Sequence, residues 1–302
     1  MSAPDARLTT RLRAGAFELA QRAQDRLNRR ILPLAHANTG DAPAWICVAG
    51  DQRAPRKLDT AFVITTYRRP TACARLVGQL GEAIRATPRV GEHALLVLDD
   101  ASPEDHGASL AHAAPAFGGN LEVLRATRNH GKREFWRVMQ RAFDWVAPRR
   151  PSAAVFLQDD LELAPGAIDR ALAIWNEIPD PDKAVLNLLV TDDDEPDGRW
   201  IHLQRSQTPG ARHRLTGWFD LAAFLAGPRF WETTRGEVFP VHPSRWEAWP
   251  SMSTRVARQL TLRLWGRASV HQVAETLVFH GAETSQMNVE ARRERPMDNR
   301  PR

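Results

Sequence analysis

From Thr60 onward the chain alternates short apolar runs with longer amphipathic stretches. Thr60 to Thr65 (TAFVIT), His93 to Leu98 (HALLVL), Leu121 to Leu124 (LEVL) and Ala153 to Leu157 (AAVFL) are runs of four to six residues. Runs this short and this apolar suit strands buried on both faces of a parallel sheet. The stretches between them have helical length and spacing. Thr71 to Ala86 turns Leu76, Val77 and Leu80 inward and follows Pro70, a good first helical residue. Glu104 to Ala113 reads as a helix or a long turn. Lys132 to Val146 carries Phe135, Trp136, Met139, Phe143 and Trp145. Strands separated by helices predict βαβ units, hence an α/β fold with a mostly parallel central sheet flanked by helices.

The remainder is less regular. Ile168 to Ile178 predicts a helix and Ala184 to Val190 a strand. Leu221 to Leu225 and Val270 to Phe279 are further sheet or helix segments, and Thr191 to Gly198 is an acidic turn. No internal repeat is present. Ahead of the alternation, Ala6 to Leu34 reads as a helix with Leu8, Leu12, Phe17, Leu19, Leu27 and Ile31 set among arginines. Two readings stand for it: a helix packed on the main domain or a partner, and a basic amphipathic helix resting on an anionic membrane surface. His36 to Lys57 reads as a linker with an edge strand at Trp45-Ile46-Cys47-Val48, and Ala291 to Arg302 as a polar tail.

Composition narrows the field. Cys47 and Cys73 are the only cysteines and lack metal-ligand spacing, which argues against a disulfide framework and for a reducing, cytoplasmic setting. No apolar run approaches the roughly 18 to 20 residues of a membrane span, and the N-terminus lacks a secretory pattern. A net charge of +5 suits acidic partners such as phosphates, nucleic acid or anionic lipid. The basic residues are spread along the chain, so a bound nucleotide is favoured over nucleic acid.

Open parallel sheets bind ligands at the carboxyl ends of their strands. Here the four apolar runs lead into Thr65-Thr66-Tyr67-Arg68, Asp99-Asp100-Ala101-Ser102, Arg128-Asn129-His130-Gly131-Lys132 and Gln158-Asp159-Asp160. Asp159 and Asp160 suit a magnesium or manganese ion that bridges carboxylate and phosphate oxygens, with Glu162 adding a ligand or a hydrogen bond. Taken alone, such a pair is as good a solvated helix start; four polar strand ends in succession weigh against that. Asp99 and Asp100 also make good turn chemistry, but Asp100 is suited to accept from a base N–H or a ribose hydroxyl. Tyr67, the only tyrosine, either covers a nucleobase or joins the core. Lys132, with Arg128 and Arg133, offers charge to phosphate.

These residues resemble the family 2-type glycosyltransferases with a GT-A fold. Their opening strand commonly reads Val-Ile-Pro-Thr-Tyr-Asn-Arg-Pro, matched by Val63-Ile64-Thr65-Thr66-Tyr67-Arg68-Arg69-Pro70. Val97-Leu98-Asp99-Asp100-Ala101-Ser102, Arg128-Asn129-His130-Gly131 and Phe156-Leu157-Gln158-Asp159-Asp160 match the later motifs. The resemblance covers Leu58 to about Ile178. It implies that Thr65, Tyr67, Arg69, Asp99 and Asp100 contact the donor nucleotide. Arg128 or Lys132 would touch base or phosphate, and Asp159 and Asp160 would form the DxD-type metal motif, with Asp160 ahead of Asp159 as direct ligand. Thr65 stands where proline is usual, Arg68 where asparagine is usual, and the metal motif reads Gln-Asp-Asp. Val278-Phe279-His280-Gly281, followed by Ser285-Gln286-Met287-Asn288, is similar to a late segment whose histidine completes the metal shell or binds diphosphate.

An inverting transfer also needs a carboxylate base. Asp220, in Gly217-Trp218-Phe219-Asp220, is one candidate. Glu247, in Trp246-Glu247-Ala248-Trp249, is the other, and its tryptophans would raise its pKa. Asp192-Asp193-Asp194-Glu195 reads as a solvated turn.

The expectation is therefore a metal-dependent, Mn2+- or Mg2+-using inverting glycosyltransferase. It would move a sugar from a nucleotide-sugar donor, UDP-linked first, to a saccharide, lipid or glycoconjugate acceptor in bacterial surface polysaccharide synthesis. Residues 1–57 would be the extension and linker, 58–165 the nucleotide-binding half, 166–290 the acceptor-binding half and 291–302 the tail. The enzyme would work in the cytoplasm or at the inner face of the membrane. Two alternatives stand beside it. One is a sugar-nucleotide-forming nucleotidyltransferase, disfavoured by the lack of a Gly-rich phosphate loop. The other is a non-catalytic binding protein on the same fold.

Overall fold

Alternation within single strands decides how the layers stack. In β2 (Thr60–Thr66) the side chains of Phe62 and Ile64 join one buried cluster while Ala61 and Val63 join another. This is the period-two signature of a strand covered on both faces. The computed structural model describes residue 23, residues 44–50, 56–190 apart from 105, 112 and 118, 210–240 apart from 218, and 252–281. The helix read over Ala6 to Leu34 apart from residue 23, the turn at Thr191 to Gly198, Glu247 with its tryptophans, Ser285 to Asn288 and the tail from Ala291 lie outside these residues.

After β1 (Trp45–Ala49) and β2 come α1 (Pro70–Arg85), β3 (His93–Asp99), α2 (His106–Ala111), β4 (Leu121–Ala126) and α3 (Gly131–Val146). Next are β5 (Ala153–Gln158), β6 (Leu161–Leu163), α4 (Ala167–Glu177), β7 (Lys183–Asn187), β8 (His213–Thr216) and β9 (Ala223–Ala226). The last elements are α5 (Pro228–Thr234), α6 (Met252–Leu264), β10 (Ser269–Val273) and β11 (Val278–His280).

A nine-stranded sheet has the order β1-β4-β3-β2-β5-β9-β7-β10-β8, and β11 pairs with β6 in a small second sheet. The block β4-β3-β2-β5 is parallel throughout. Beyond it β9 runs antiparallel to both β5 and β7, β10 runs parallel to β7, and β8 closes the edge antiparallel to β10. One sheet therefore serves both halves of the chain.

One face packs against α1 and α4, through Cys73, Leu76, Val77, Leu80, Ile168, Leu172 and Trp175. The other packs against α3, α5 and α6, and its centre is aromatic. The ring of Phe143 meets Phe156, Phe230 and Trp231 edge-on, and Phe156 stacks on Phe224 at 4.5 Å and 5°. Each such ring buries a large apolar area. This core fixes β5, whose carboxyl end carries the acidic pair.

Several elements differ from the reading of the sequence. The expected edge strand forms and pairs with β4, Trp45 opposite Ala126, so the sheet begins ahead of Leu58. The stretch Val270 to Phe279 is two strands in two different sheets, β10 and β11. The strand expected over Ala184 to Val190 starts at Lys183 and stops at Asn187. The strands β6 and β8 and the helices α5 and α6 carry no sequence pattern strong enough to predict them. Among the described residues no helix is long and apolar enough to cross a membrane.

Candidate functional site

The parallel block delivers its polar strand ends to one edge. In register, Thr66 lies opposite Asp99, Thr65 opposite Gln158, and Asp99 opposite Arg125. The next residue after β5, Asp159, is drawn into β2. Its N–H donates to Thr65 O at 3.1 Å. Its Oδ2 accepts from Thr66 Oγ1 at 2.8 Å and from the Tyr67 N–H at 3.1 Å. Its Oδ1 accepts from Arg69 Nη1 at 2.9 Å. The same guanidinium nitrogen lies 3.2 Å from Asp160 Oδ2. Arg69, Asp159 and Asp160 are 8%, 6% and 4% exposed, so water does little to screen them. Two carboxylates share one arginine, which leaves a negative charge in excess. Burial, with help from Asp160, pushes the Asp159 carboxyl up to about 6 against the pull of Arg69, Thr66 and Tyr67. Burial opposes the Arg69 charge too, but the two acids prevail and raise its pKa.

At the end of β3 the two acids turn inward. Asp99 Oδ1 accepts from the Ser102 N–H at 3.0 Å and lies 3.3 Å from His106 Nδ1, while Oδ2 lies 3.6 Å from Arg125 Nε. Burial opposes its charge, but His106 and Ser102 hold the carboxyl below its usual range. The Asp100 carboxylate accepts from Asn129 Nδ2 at 2.9 Å, the His130 N–H at 2.9 Å and the Gly131 N–H at 3.2 Å, and it pairs with His130 Nδ1. It thereby clamps the loop that opens α3, where Gly131 takes a φ of 58°. The His130 ring stacks on Trp45 of β1 at 5.3 Å. Neither acid points its carboxylate at open solvent.

The ends of β2 and β3 are also tied to each other. The Arg68 N–H donates to Ser102 Oγ at 2.8 Å and the Asp100 N–H to Thr66 O at 3.0 Å. Arg68 and Ala101 have φ of 57° and 60°, a left-handed backbone that costs about 1–2 kcal/mol for a residue with a Cβ. Strain of this kind clusters at functional sites.

The second half brings three more side chains, those of His280, Asp220 and Asn187. His280 ends β11, and its Nδ1 lies 3.9 Å from Asp160 Oδ2. The Gly281 N–H donates to Asp160 O at 2.7 Å. Asp220 lies in the loop between β8 and β9, held to β5 where the Gln158 N–H donates to Ala222 O at 3.1 Å. Burial raises the Asp220 carboxyl above its usual range, with the Ala222 N–H and nearby His280 pulling the other way. Asn187, at the end of β7, accepts from the Asp220 N–H at 3.2 Å.

Other expected residues sit around this cluster. Thr65 and Tyr67 are half-buried at the edge, with the Arg68 guanidinium 5.4 Å from the Tyr67 ring centre. Arg128 is exposed and pairs with Glu134 of α3 at 3.3 Å. Glu162 lies 3.6 Å from Arg75. Lys132 is in the first turn of α3, and its side chain is outside the described part of the molecule. The clasp formed by Thr66 and Arg69, and the contact of Asn187, were not read from the sequence. A buried polar residue closing an apolar strand is the one signal that marks Asn187.

Could this cluster hold a divalent ion? Among the described residues no three His, Cys, Asp or Glu side chains converge. Asp159 already accepts from three protein donors. Asp160 and His280 face each other and supply one carboxylate and one imidazole. Magnesium-type ions are commonly held by one or two carboxylates together with substrate phosphates. The pair therefore fits an ion shared with a diphosphate, and does not fit an all-protein cage.

No family model matches the sequence, and no curated protein is significantly similar to it. Solved structures are similar. The mannosyltransferase PcManGT of Pyrobaculum calidifontis, in complex with GDP-Man and Mn2+, matches with a TM-score of 0.51 at 11% identity over 91% of this chain and 70% of that one. The fold is GT-A-like. S. aureus TarS also matches, with a TM-score of 0.47 at 14% identity over 74% of this chain and 37% of that one. Its fragment 1–349 in complex with UDP gives 0.46 at 13%, over 74% and 60%. The chain spans less than two thirds of either TarS structure. In the GT-A-like frame, the acidic pair lies at the carboxyl edge of the parallel block, where an open α/β sheet takes its ligand.

Proposed function

We propose that this protein is an inverting glycosyltransferase that moves a sugar from a nucleotide-diphosphate donor to an acceptor hydroxyl. The observation that carries this is the buried Arg69–Asp159–Asp160 cluster beside His280, at the ligand-binding edge of a GT-A-like sheet. Thr65 and Tyr67 line the nucleoside side. Arg128 and Lys132 lend charge to the base or phosphate. Asp99 and Asp100 act as positioning residues that shape the cleft, because their carboxylates are bonded within the protein.

Asp160 and His280 would hold a Mn2+ or Mg2+ ion. When bound, that ion supplies positive charge to the departing diphosphate. Arg69 keeps Asp159 and Asp160 side by side and fixes the direction of Asp160. Asp220 takes the proton of the acceptor hydroxyl, and its raised pKa brings it closer to a base's working range. The acceptor oxygen then bonds the anomeric carbon, the carbon–oxygen bond to the diphosphate breaks, and the nucleoside diphosphate leaves. Glu247 is the competing base.

UDP-sugars are the first donors to test and GDP-mannose the second. A saccharide or lipid-linked acceptor of bacterial surface polysaccharide is the acceptor class. Residues 58–165 form the donor half and 166–290 the acceptor half, with residues 1–57 contacting the main domain or the inner face of the membrane. The direct test is Asp160→Asn in the full chain. Release of nucleoside diphosphate should fall roughly 100-fold or more, and Mn2+ binding followed by its paramagnetic signal should weaken with it. Undiminished turnover would sink the mechanism.

A further inference from the structure

Residues 219–222, which carry Asp220, form neither helix nor strand, and two of their amides are held by side chains from other elements. The Phe219 N–H donates to Thr261 Oγ1 of α6 at 3.1 Å. The Asp220 N–H donates to Asn187 Oδ1 at 3.2 Å. The Ala222 N–H donates to Oδ1 of Asp220 itself at 2.8 Å. The carboxylate is thus oriented through the main chain of residues 219–222, and Asn187 grips the centre of that segment.

Asn187 is an unusual choice for its place. It is 1% exposed at the end of an apolar strand, where asparagine is a poor strand former and an amide is costly unless bonded. It does not stand alone. Gln272 of β10 is its register partner, and Arg214 of β8 is the partner of Gln272. With its carboxamide oxygen toward Arg214, Gln272 accepts from Nε at 3.3 Å and Nη2 at 2.6 Å. Two residues earlier on β7 and β10, Val185 and Val270 are ordinary core. On β7 and β10 the face changes from apolar to polar between these two levels, and at the polar level Asn187 accepts from the Asp220 amide.

We infer that Asn187 is a positioning residue for the transfer, holding the Asp220 main chain so that the carboxylate meets the acceptor hydroxyl, with Gln272 and Arg214 as its buttress. This rests on Asp220 being the base. Because Oδ1 is turned back onto the Ala222 N–H, Oδ2 receives the proton, and a small shift of residue 220 moves it off line. Misplacement by about 1 Å costs on the order of 100-fold.

The test uses the full chain with Mn2+ and either UDP-glucose or GDP-mannose, measuring nucleoside diphosphate release from pH 5 to 9. Asn187→Leu keeps the volume and removes the acceptor. Its kcat should drop roughly 10- to 100-fold with donor KM unchanged. Asn187→Asp keeps an acceptor and adds a neighbouring negative charge. It should recover most of kcat while moving the acid limb of the pH–rate profile upward. A Leu variant with wild-type kcat and pH limb, whatever its melting temperature, overturns the inference. If the Leu variant does not fold, an unmoved limb in Asn187→Asp overturns it instead. Asp220→Asn separates the two levels. Full turnover there removes the base itself. A dead Asp220→Asn beside normal Asn187 variants removes only the positioning role.

Discussion

The two sides of the candidate site are built in opposite ways. On the proposed donor side each strand end hands over consecutive residues, and these bond to the next strand end. Asp159 reaches Thr66, Tyr67 and Arg69; Asp100 reaches Asn129, His130 and Gly131. On the proposed acceptor side Asp220 and Asn187 come from separate segments that meet through antiparallel returns, and His280 is brought across to Asp160 by the pairing of β11 with β6. The first arrangement makes a rigid socket in which each part is a run of consecutive residues at a strand end. The second makes a surface that can vary without disturbing the socket. Substitutions on the donor side should therefore cost stability and activity together, and those on the acceptor side mainly activity.

The largest effect tests the acceptor side. Asp220→Asn should lower kcat by about 10²–10⁴-fold, the range for loss of a general base, and leave the urea midpoint near that of wild type. Glu247→Gln should stay close to wild type in both. The reverse ranking would hand the base to Glu247.

Next comes the donor side. Arg69→Met leaves two buried carboxylates without their shared cation. Removing one partner of a buried ion pair costs roughly 3–5 kcal/mol, read as a loss of unfolding free energy in urea. Turnover should fall in the same variant. Intact stability there would mean that the clasp does not organise the socket.

How much of this division could be read beforehand follows the same line. The apolar runs at Thr60, His93, Leu121 and Ala153 announce parallel strands, because strands covered on both faces need unbroken apolar sequence. Asp159 and Asp160 stand out because they end such a run. In the second half β8 reads His213-Arg214-Leu215-Thr216 and lies on a sheet edge, where one side of the strand is unpaired and no apolar run is required. The division between β10 and β11 is set by partners distant in sequence, Lys183 to Asn187 for one and Leu161 to Leu163 for the other. The role expected of Asp100 shows a further limit. A motif marks the position, but whether its carboxylate faces a ligand or the loop of the next strand depends on Asn129, His130 and Gly131.

A smaller effect sharpens that last point. Asp100→Ala removes the acceptor for four donors, from Asn129, His130 and Gly131. A hydrogen bond to a charged group is worth about 1.5–3 kcal/mol, and part of this set would be re-satisfied by water. A loss of roughly 2–3 kcal/mol in urea unfolding is expected, with exchange of the amides in the first turn of α3 accelerated. A raised donor KM at unchanged stability would instead make Asp100 a direct reader of the nucleotide.

The last effect concerns pH and the donor socket alone. Asp159 has its carboxyl pushed up to about 6 in the fold, mainly by burial, against roughly 3.9 in an unfolded chain. Between these values the folded protein binds more protons than the unfolded one, so stability falls as pH rises from 4 to 6. Above about 6 the cost of the buried negative charge is fully present, and below about 4 it is gone. Asn at this position cannot ionise. The difference in unfolding free energy between wild type and Asp159→Asn, measured without metal, should therefore slope across pH 4 to 6 and flatten outside it. Added Mn2+ should reduce that slope in wild type, because a cation at Asp160 favours the ionised form of its neighbour. A flat difference across the window would mean that Arg69 already compensates both acids, and the excess negative charge assigned to the socket would be wrong.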